Sequence, residues 1–135
     1  ALLMVDLDNF KQINDTFGHD IGNQVLQEFS KKLEDFTKLT KYGYPTRLGG
    51  DEFVVVLPLC DNLFEIEHKA SVLLESLKTW TTPIGDVKLT ASIGGILYKK
   101  GLNLNIRVLL KEADFLLYEA KNLGKNTYRI REYNK

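Results

Sequence analysis

The sequence predicts an α+β domain with a mostly antiparallel central sheet flanked by helices. Short apolar strands alternate with amphipathic helices in the order β-α-α-β-β-α-β-α-β, with no internal repeat, low-complexity stretch or linker. The second and third strands are joined by Gly49-Gly50-Asp51, which reads as a tight hairpin. The length, 135 residues, suits a single domain around one core.

Each element has a local cause. Residues 2–5, all apolar, read as a short buried strand that ends at Asp6. Asp8-Asn9 starts a short helix that stops before Gly18. Asp20 is the expected cap of a second helix, whose apolar positions Ile21, Val25, Leu26, Phe29, Leu33 and Phe36 recur at helical spacing. Gly43 and Pro45 break the chain before the hairpin, and Pro58 ends its second arm. A third helix is expected from Leu63 to Trp80, and a long strand from Val87 to Leu97 with a bulge near Gly94-Gly95. Asn105 caps a fourth helix that Gly124 ends, and residues 127–130 form the last strand.

Composition excludes several classes of function. Eighteen basic side chains balance eighteen acidic ones, so there is no basic field to hold a nucleic acid. Cys60 is the single cysteine, which leaves no internal disulfide and no cysteine-based metal site, and suits a reducing, cytoplasmic compartment. No apolar run is long enough to span a bilayer, so membrane contact by this domain is not expected. No signal peptide is visible, and the chain opens as a strand already under way. The expectation is one domain over residues 1–135, lacking an N-terminal segment and cut from a longer protein.

The chemistry is carried by acids. In a split βαβ arrangement, the first strand lies antiparallel to the hairpin's second arm, so its C-terminal end meets the hairpin turn. That would bring Asp6, Asp8, Asp51 and Glu52 into one small region. Like charges repel, and such a cluster calls for a cation. Magnesium suits it, being a hard ion that takes one or two carboxylates plus substrate phosphates. The N–H groups opening the helix near Asn9, Phe10 and Lys11, with the charge of Lys11, would receive the phosphates. Taken singly, an acid after a strand is usually a cap and a Gly-Gly hairpin is usually a turn. Their convergence makes the pair informative. The EF-hand pattern fails at Phe10 and Lys11, and the P-loop pattern fails at Asn23. His19 and His68 have no metal-ligand spacing.

The motifs Asp6-Leu7-Asp8-Asn9-Phe10-Lys11-Gln12-Ile13-Asn14-Asp15 and Arg47-Leu48-Gly49-Gly50-Asp51-Glu52-Phe53 resemble the signatures of GGDEF (diguanylate cyclase) domains. Ala91-Ser92-Ile93-Gly94, Ala113-Asp114, Tyr118-Glu119-Ala120-Lys121 and Gly124-Lys125-Asn126 are similar to the later landmarks of that family. The resemblance implies a ferredoxin-like, nucleotidyl-cyclase palm-type topology. It implies that two GTP molecules are condensed to cyclic di-GMP, with release of pyrophosphate, across two domains facing each other as a homodimer. It implies magnesium or manganese on Asp6, Asp51 and the main-chain carbonyl of Leu7, with Asp51 as candidate base and Glu52 adding charge or a ligand. Gly49 and Gly50 would admit the nucleotide, and Phe10, Lys11, Lys121 and Lys125 would hold phosphates. Asn14 and Asn23 would read the guanine edge. Other domains of the same chain, some of them possible membrane anchors, would be its further partners.

The sequence departs from the family pattern at three places. Asn23 stands where the family usually has Asp, and an amide presents one acceptor and one donor to guanine's two donors. Adenine's edge suits an amide better. Lys125 replaces the usual Arg, keeping the charge without the bidentate fork. Thr40-Lys41-Tyr42-Gly43 lacks the Arg and Asp of the family's product-inhibition site, so no such site is expected. The departures at Asn23 and Lys125 motivate a rival reading, a GGDEF domain that binds GTP to regulate an attached domain such as a cyclic-di-GMP phosphodiesterase. A purely structural interaction domain would leave the carboxylates without a role.

Overall fold

The computed structural model describes residues 1–40, 42–99 and 105–133. The chain runs β1 (Leu2–Asp8), α1 (Phe10–Phe17), α2 (His19–Thr37), β2 (Tyr44–Gly49), β3 (Glu52–Val56), α3 (Leu63–Ser76), β4 (Thr90–Leu97), α4 (Ile106–Asn122) and β5 (Tyr128–Glu132). This is the order expected from the sequence. The strands form one sheet in the order β2-β3-β1-β4-β5. Every pair is antiparallel except β4 with β5, which are parallel and joined through α4. The split βαβ arrangement holds, since β1 lies beside β3 with Asp6 opposite Glu52. Among the described residues, no helix is long and apolar enough to cross a membrane.

β1 is buried along its whole length because both faces of the sheet are covered. Leu3, Val5 and Leu7 point into a core with Ile13 of α1, Phe29 of α2 and Ile66 of α3. Leu2 and Met4 point the other way, into a smaller core with Leu109, Ala113 and Leu117 of α4. Two-sided burial is why residues 2–5 read as a continuous apolar run rather than an alternating one. The sheet therefore separates α1, α2 and α3 from α4, and the carboxylate of Asp6 falls on the α4 side.

Several boundaries differ from the sequence reading. α2 starts at His19, after Gly18 at φ 88°, and Asp20 is not its cap. The Gly18 carbonyl already accepts the Gly22 N–H at 3.1 Å. Asp20 sits instead in the first turn, where its charge suits the helix dipole. α3 stops at Ser76 rather than Trp80, because the Trp80 indole N–H folds back to the carbonyls of Leu77 (3.0 Å) and Leu89 (2.9 Å). β4 begins at Thr90 rather than Val87; a turn at Gly85 (φ 58°) comes first, with the Val87 N–H on the Ile84 carbonyl at 3.3 Å. β5 is shifted to Tyr128–Glu132.

The expected bulge at Gly94-Gly95 is absent, and β4 pairs with β1 without a break from Thr90 to Ile96. The irregularity lies in the hairpin, between Arg47 and Gly49. Gly94 is needed for another reason. A Cβ there would stand 2.2 Å from the Ala113 carbonyl oxygen and 2.2 Å from the Leu117 nitrogen. The backbone of α4 rests directly on β4 at this point.

Glu28 fastens α2 to the connection after α3. Its carboxylate accepts the Thr81 N–H (2.8 Å), the Thr82 N–H (2.9 Å) and the Thr82 hydroxyl (2.7 Å). Burial alone would raise its pKa, but these donors outweigh it and hold the pKa below the ordinary carboxylate value.

The close approach of α4 to β4 generates a prediction. Gly94→Ala should lower the unfolding free energy by about 1–3 kcal/mol, the usual cost of overpacking, with more if the backbone cannot yield. Urea titration followed by circular dichroism measures it. A transition midpoint equal to that of the unaltered chain would show that α4 does not seat on Gly94.

Candidate functional site

The site lies at the edge of the sheet where β1 ends and the β2–β3 hairpin turns. The turn uses backbone that favours glycine, with Gly49 at φ 154° and Gly50 at φ 54°. A Cβ on either glycine would meet nothing within 4 Å, so the turn leaves open space. Arg47 braces it, its Nε donating to the Gly50 carbonyl at 3.0 Å.

Asp6 is the central group. Its side chain is only 11% exposed, and Oδ2 is ion-paired with the ammonium of Lys121 from the last turn of α4. Oδ1 is buried and has no hydrogen-bond donor. The Asp51 carboxyl stands against the same group. Burial first, then the hydrogen bond and charge of Asp51, raise the Asp6 pKa to about 7, against the opposing pull of Lys121. Asp6 thus keeps its proton up to near neutrality. Glu52 lies opposite Asp6 in the β1–β3 register and lines a 210 Å³ pocket with Asp6, Asp114, Leu117, Tyr118 and Lys121.

Asp8 does not join this cluster as a free carboxylate. It is 1% exposed and fully engaged, accepting the Thr90 hydroxyl (2.7 Å), the Ser92 hydroxyl (2.7 Å) and the Asn126 N–H (2.9 Å). These bonds tie the end of β1 to β4 and to the turn after α4. That turn is itself in left-handed backbone, with Lys125 at φ 65° and Asn126 at φ 50°. Asp8 is a structural anchor beside the site.

The other residues singled out by the sequence fall in three places. Asn9 precedes α1 at φ 67° without capping it. Its side chain donates to the Lys88 carbonyl (3.2 Å) and accepts from Lys125 Nζ (3.4 Å), so Lys125 stands over the start of α1. Lys11 is exposed in the first turn of α1, and the Leu7 side chain is buried, which leaves only its main chain to the site. The Phe10 ring packs partly into the core. Asn14 lies over Gly22, where a Cβ would be 1.9 Å from its Oδ1 and 3.6 Å from the Phe10 ring. Asn23 is exposed and lines a 310 Å³ groove with Leu26, Gln27, Ser30, Arg47 and Phe53. Asp6, Asp51, Glu52 and Lys121 are therefore brought together, while Asn14 and Asn23 are neighbours through Gly22. A 580 Å³ cavity elsewhere, lined by residues including Trp80, Lys88 and Asn126, holds no carboxylate.

Sequence reasoning missed two parts of this arrangement. Asp114 and Tyr118 share the pocket of Asp6; their spacing from Lys121 along α4 could have placed all three on one helix face. The hydroxyls of Thr90 and Ser92 that satisfy Asp8 have no sequence signal, since only the β1–β4 register sets them opposite it.

The donor set fits a divalent cation. Among the described residues, no three His, Cys, Asp or Glu side chains converge into a ready cage. A buried carboxylate with an unpartnered oxygen, beside a second acid, has instead the makings of an open site that relies on further oxygens from elsewhere.

A palm-type α+β domain with acids gathered at its hairpin edge defines a class of protein, and the comparisons place the chain within it. The family model described as diguanylate cyclase, GGDEF domain, matches residues 1–127, and the chain belongs to that family. The response regulator PleD of Caulobacter vibrioides is 39% identical over 129 residues, 93% of this chain and 28% of that protein. The diguanylate cyclase DgcS of Shewanella oneidensis is 32% identical over 133 residues, 96% of this chain and 42% of that protein. The crystal structure of the diguanylate cyclase SiaD with its activator SiaC, from Pseudomonas aeruginosa, matches with a TM-score of 0.83 at 31% identity, covering 96% of this chain and 49% of that one. The chain thus spans less than half the length of these relatives.

The Asp6–Asp51 pair generates a pH prediction. A carboxyl whose folded pKa lies above its unfolded value stabilises the fold below the unfolded value and loses that contribution as pH rises through the folded one. For Asp6 the window runs from the ordinary carboxylate range up to about 7. Relative to Asp6→Asn, the metal-free chain should therefore lose thermal stability steadily across that window. Thermal melts of both proteins at several pH values read the difference. A constant offset between them would show that Asp6 is not held in its protonated form.

Proposed function

We propose that this domain is the catalytic half-site of a diguanylate cyclase, and that two copies facing each other condense two GTP molecules into cyclic di-GMP. One observation carries the reading: the buried Asp6 carboxylate, with one oxygen unpartnered, stands against Asp51 at the GGDEF hairpin. Asp6, Asp51 and the Leu7 carbonyl would hold magnesium or manganese, with Glu52 beside them. When bound, the metal would supply Lewis acidity to the attacking and leaving oxygens.

This chain's own residues would do the rest. Asp51 would take the proton of a 3′-hydroxyl as its oxygen forms a bond to the α-phosphorus of the facing nucleotide. The bond from that phosphorus to the bridging oxygen breaks, and pyrophosphate leaves. A second, reciprocal step closes the ring. Lys11, Lys121, Lys125 and the amides opening α1 near Phe10 would hold the phosphates. Gly49 and Gly50 would leave room for the nucleotide against the turn. Asn14 and Asn23 would face the base. The domain would work as part of a longer, cytoplasmic or membrane-anchored chain, a reading supported by the modest share of each relative that it spans.

The regulatory alternative draws only on Asn23 and Lys125. The intact acids and the diguanylate cyclases among the relatives do not favour it. The loss of Arg and Asp at Thr40-Lys41-Tyr42-Gly43 leaves product feedback there unsupported; Lys41 lies outside the described residues.

The reading is tested by incubating the protein with GTP and magnesium and identifying the product. Asp51→Ala should abolish turnover while circular dichroism stays unchanged; activity within a few-fold of the unaltered chain would remove Asp51 from the mechanism. Specific activity should rise with protein concentration, and a constant value down to monomeric dilutions would exclude the facing half-sites.

Base choice gives a separate prediction. Asn23→Asp adds a charged acceptor for guanine, so GTP should bind roughly tenfold more tightly, about 1.4 kcal/mol, and ATP more weakly. Titrations of both proteins with both nucleotides decide it. An unchanged preference would leave base reading to Asn14 or the main chain.

A further inference from the structure

We propose that Lys121 is the resident cation of the acid pair, neutralising Asp6 in the nucleotide-free protein and leaving it when a triphosphate arrives, so that metal and nucleotide bind as one unit. This rests on the reading of Asp6 and Asp51 as the metal-holding acids, and adds a gate to it.

The geometry points to an exchangeable partner. Asp6 has two carboxylate oxygens in different states: Oδ2 is on the Lys121 ammonium, and Oδ1 has no donor. A buried carboxylate with a purely structural role normally has its lone pairs satisfied, as Asp8 does two residues along the strand with three neutral donors. Among the described residues Lys121 is thus the one cation on Asp6, with the acid Asp51 as its other neighbour. Its side chain is 11% exposed while that of Lys121 is 32% exposed, so the ammonium approaches from the open side of the pocket on a flexible four-carbon stem. The pocket it crosses is lined by Glu52, Asp114 and Tyr118. Lys125, by contrast, is turned toward Asn9.

Two cations on one carboxylate repel each other, so the ammonium in place opposes a divalent ion at Asp6. A triphosphate offers Lys121 several anionic oxygens in exchange. Lys121 moves to them, Asp6 gains a free oxygen, and metal affinity rises. The nucleotide-free protein binds divalent ions poorly for the same reason. Nothing covalent changes; only the counter-ion of Asp6 is exchanged.

The test is manganese binding, read by electron paramagnetic resonance, in nucleotide-free protein and with a non-hydrolysable GTP analogue. Lys121→Met and Lys121→Gln should each bind manganese about tenfold or more tightly than the unaltered chain without nucleotide, one decade for the removed repulsion. The enhancement by the analogue should shrink in both, and Lys121→Arg should behave like the unaltered chain. If the uncharged variants fold, by circular dichroism, yet bind manganese no more tightly, the lysine gate is overturned. Asp6→Asn separates the two readings. If it leaves analogue-dependent manganese binding intact, the assignment of Asp6 as a metal ligand fails, and the gate with it. If it abolishes that binding while Lys121→Met changes nothing, only the gate fails.

Discussion

β1 is buried on both faces and paired on both edges, and much of the domain follows from that constraint. A strand so placed must be apolar through Val5. Where it ends, two acids remain on the α4 side of the sheet, and each carboxylate needs partners it cannot find in water. Asp8 finds three neutral donors from β4 and the turn after α4. Asp6 finds one lysine and a second acid. Two residues apart on one strand, the first keeps an unpartnered oxygen and a raised pKa, and the second is a rivet. The difference is the number of donors the surrounding elements supply.

The position of α4 is the next determinant. Because β4 carries glycine at position 94, the backbone of α4 descends onto the sheet at Ala113 and Leu117. Lys121 follows one turn later and reaches Asp6. A larger residue at 94 would lift the helix and, with it, the charge that Asp6 depends on. Core packing and site electrostatics are here a single matter: a missing side chain on one face of β4 sets the reach of an ammonium some distance away.

The departures at Asn23 and Lys125 fall outside the cluster of acids. Asn23 lies in the open groove between α2 and the hairpin, beside Arg47 and Phe53, and Lys125 over Asn9. Neither contributes to the core, so exchange there costs little stability.

Much of the fold was legible from periodicity and punctuation. The element order, the hairpin at Gly49-Gly50 and the amphipathic helices follow from spacings of local origin, and the acids of the hairpin are visible as letters. The resemblance carried by whole motifs sufficed for the family. Helical periodicity did not decide where α2 begins or where α3 ends, because Gly18 at φ 88° turns the chain just ahead of α2 and the Trp80 indole folds back on the Leu77 and Leu89 carbonyls. Nor did it separate Asp6 from Asp8. Their letters are identical, and only the register of β4 and the seating of α4 determine which one meets hydroxyls and which one meets a lysine. The ionisable groups were written in the sequence. Their charge state was decided by tertiary contact, since burial and neighbours, not residue type, set where a carboxyl holds its proton.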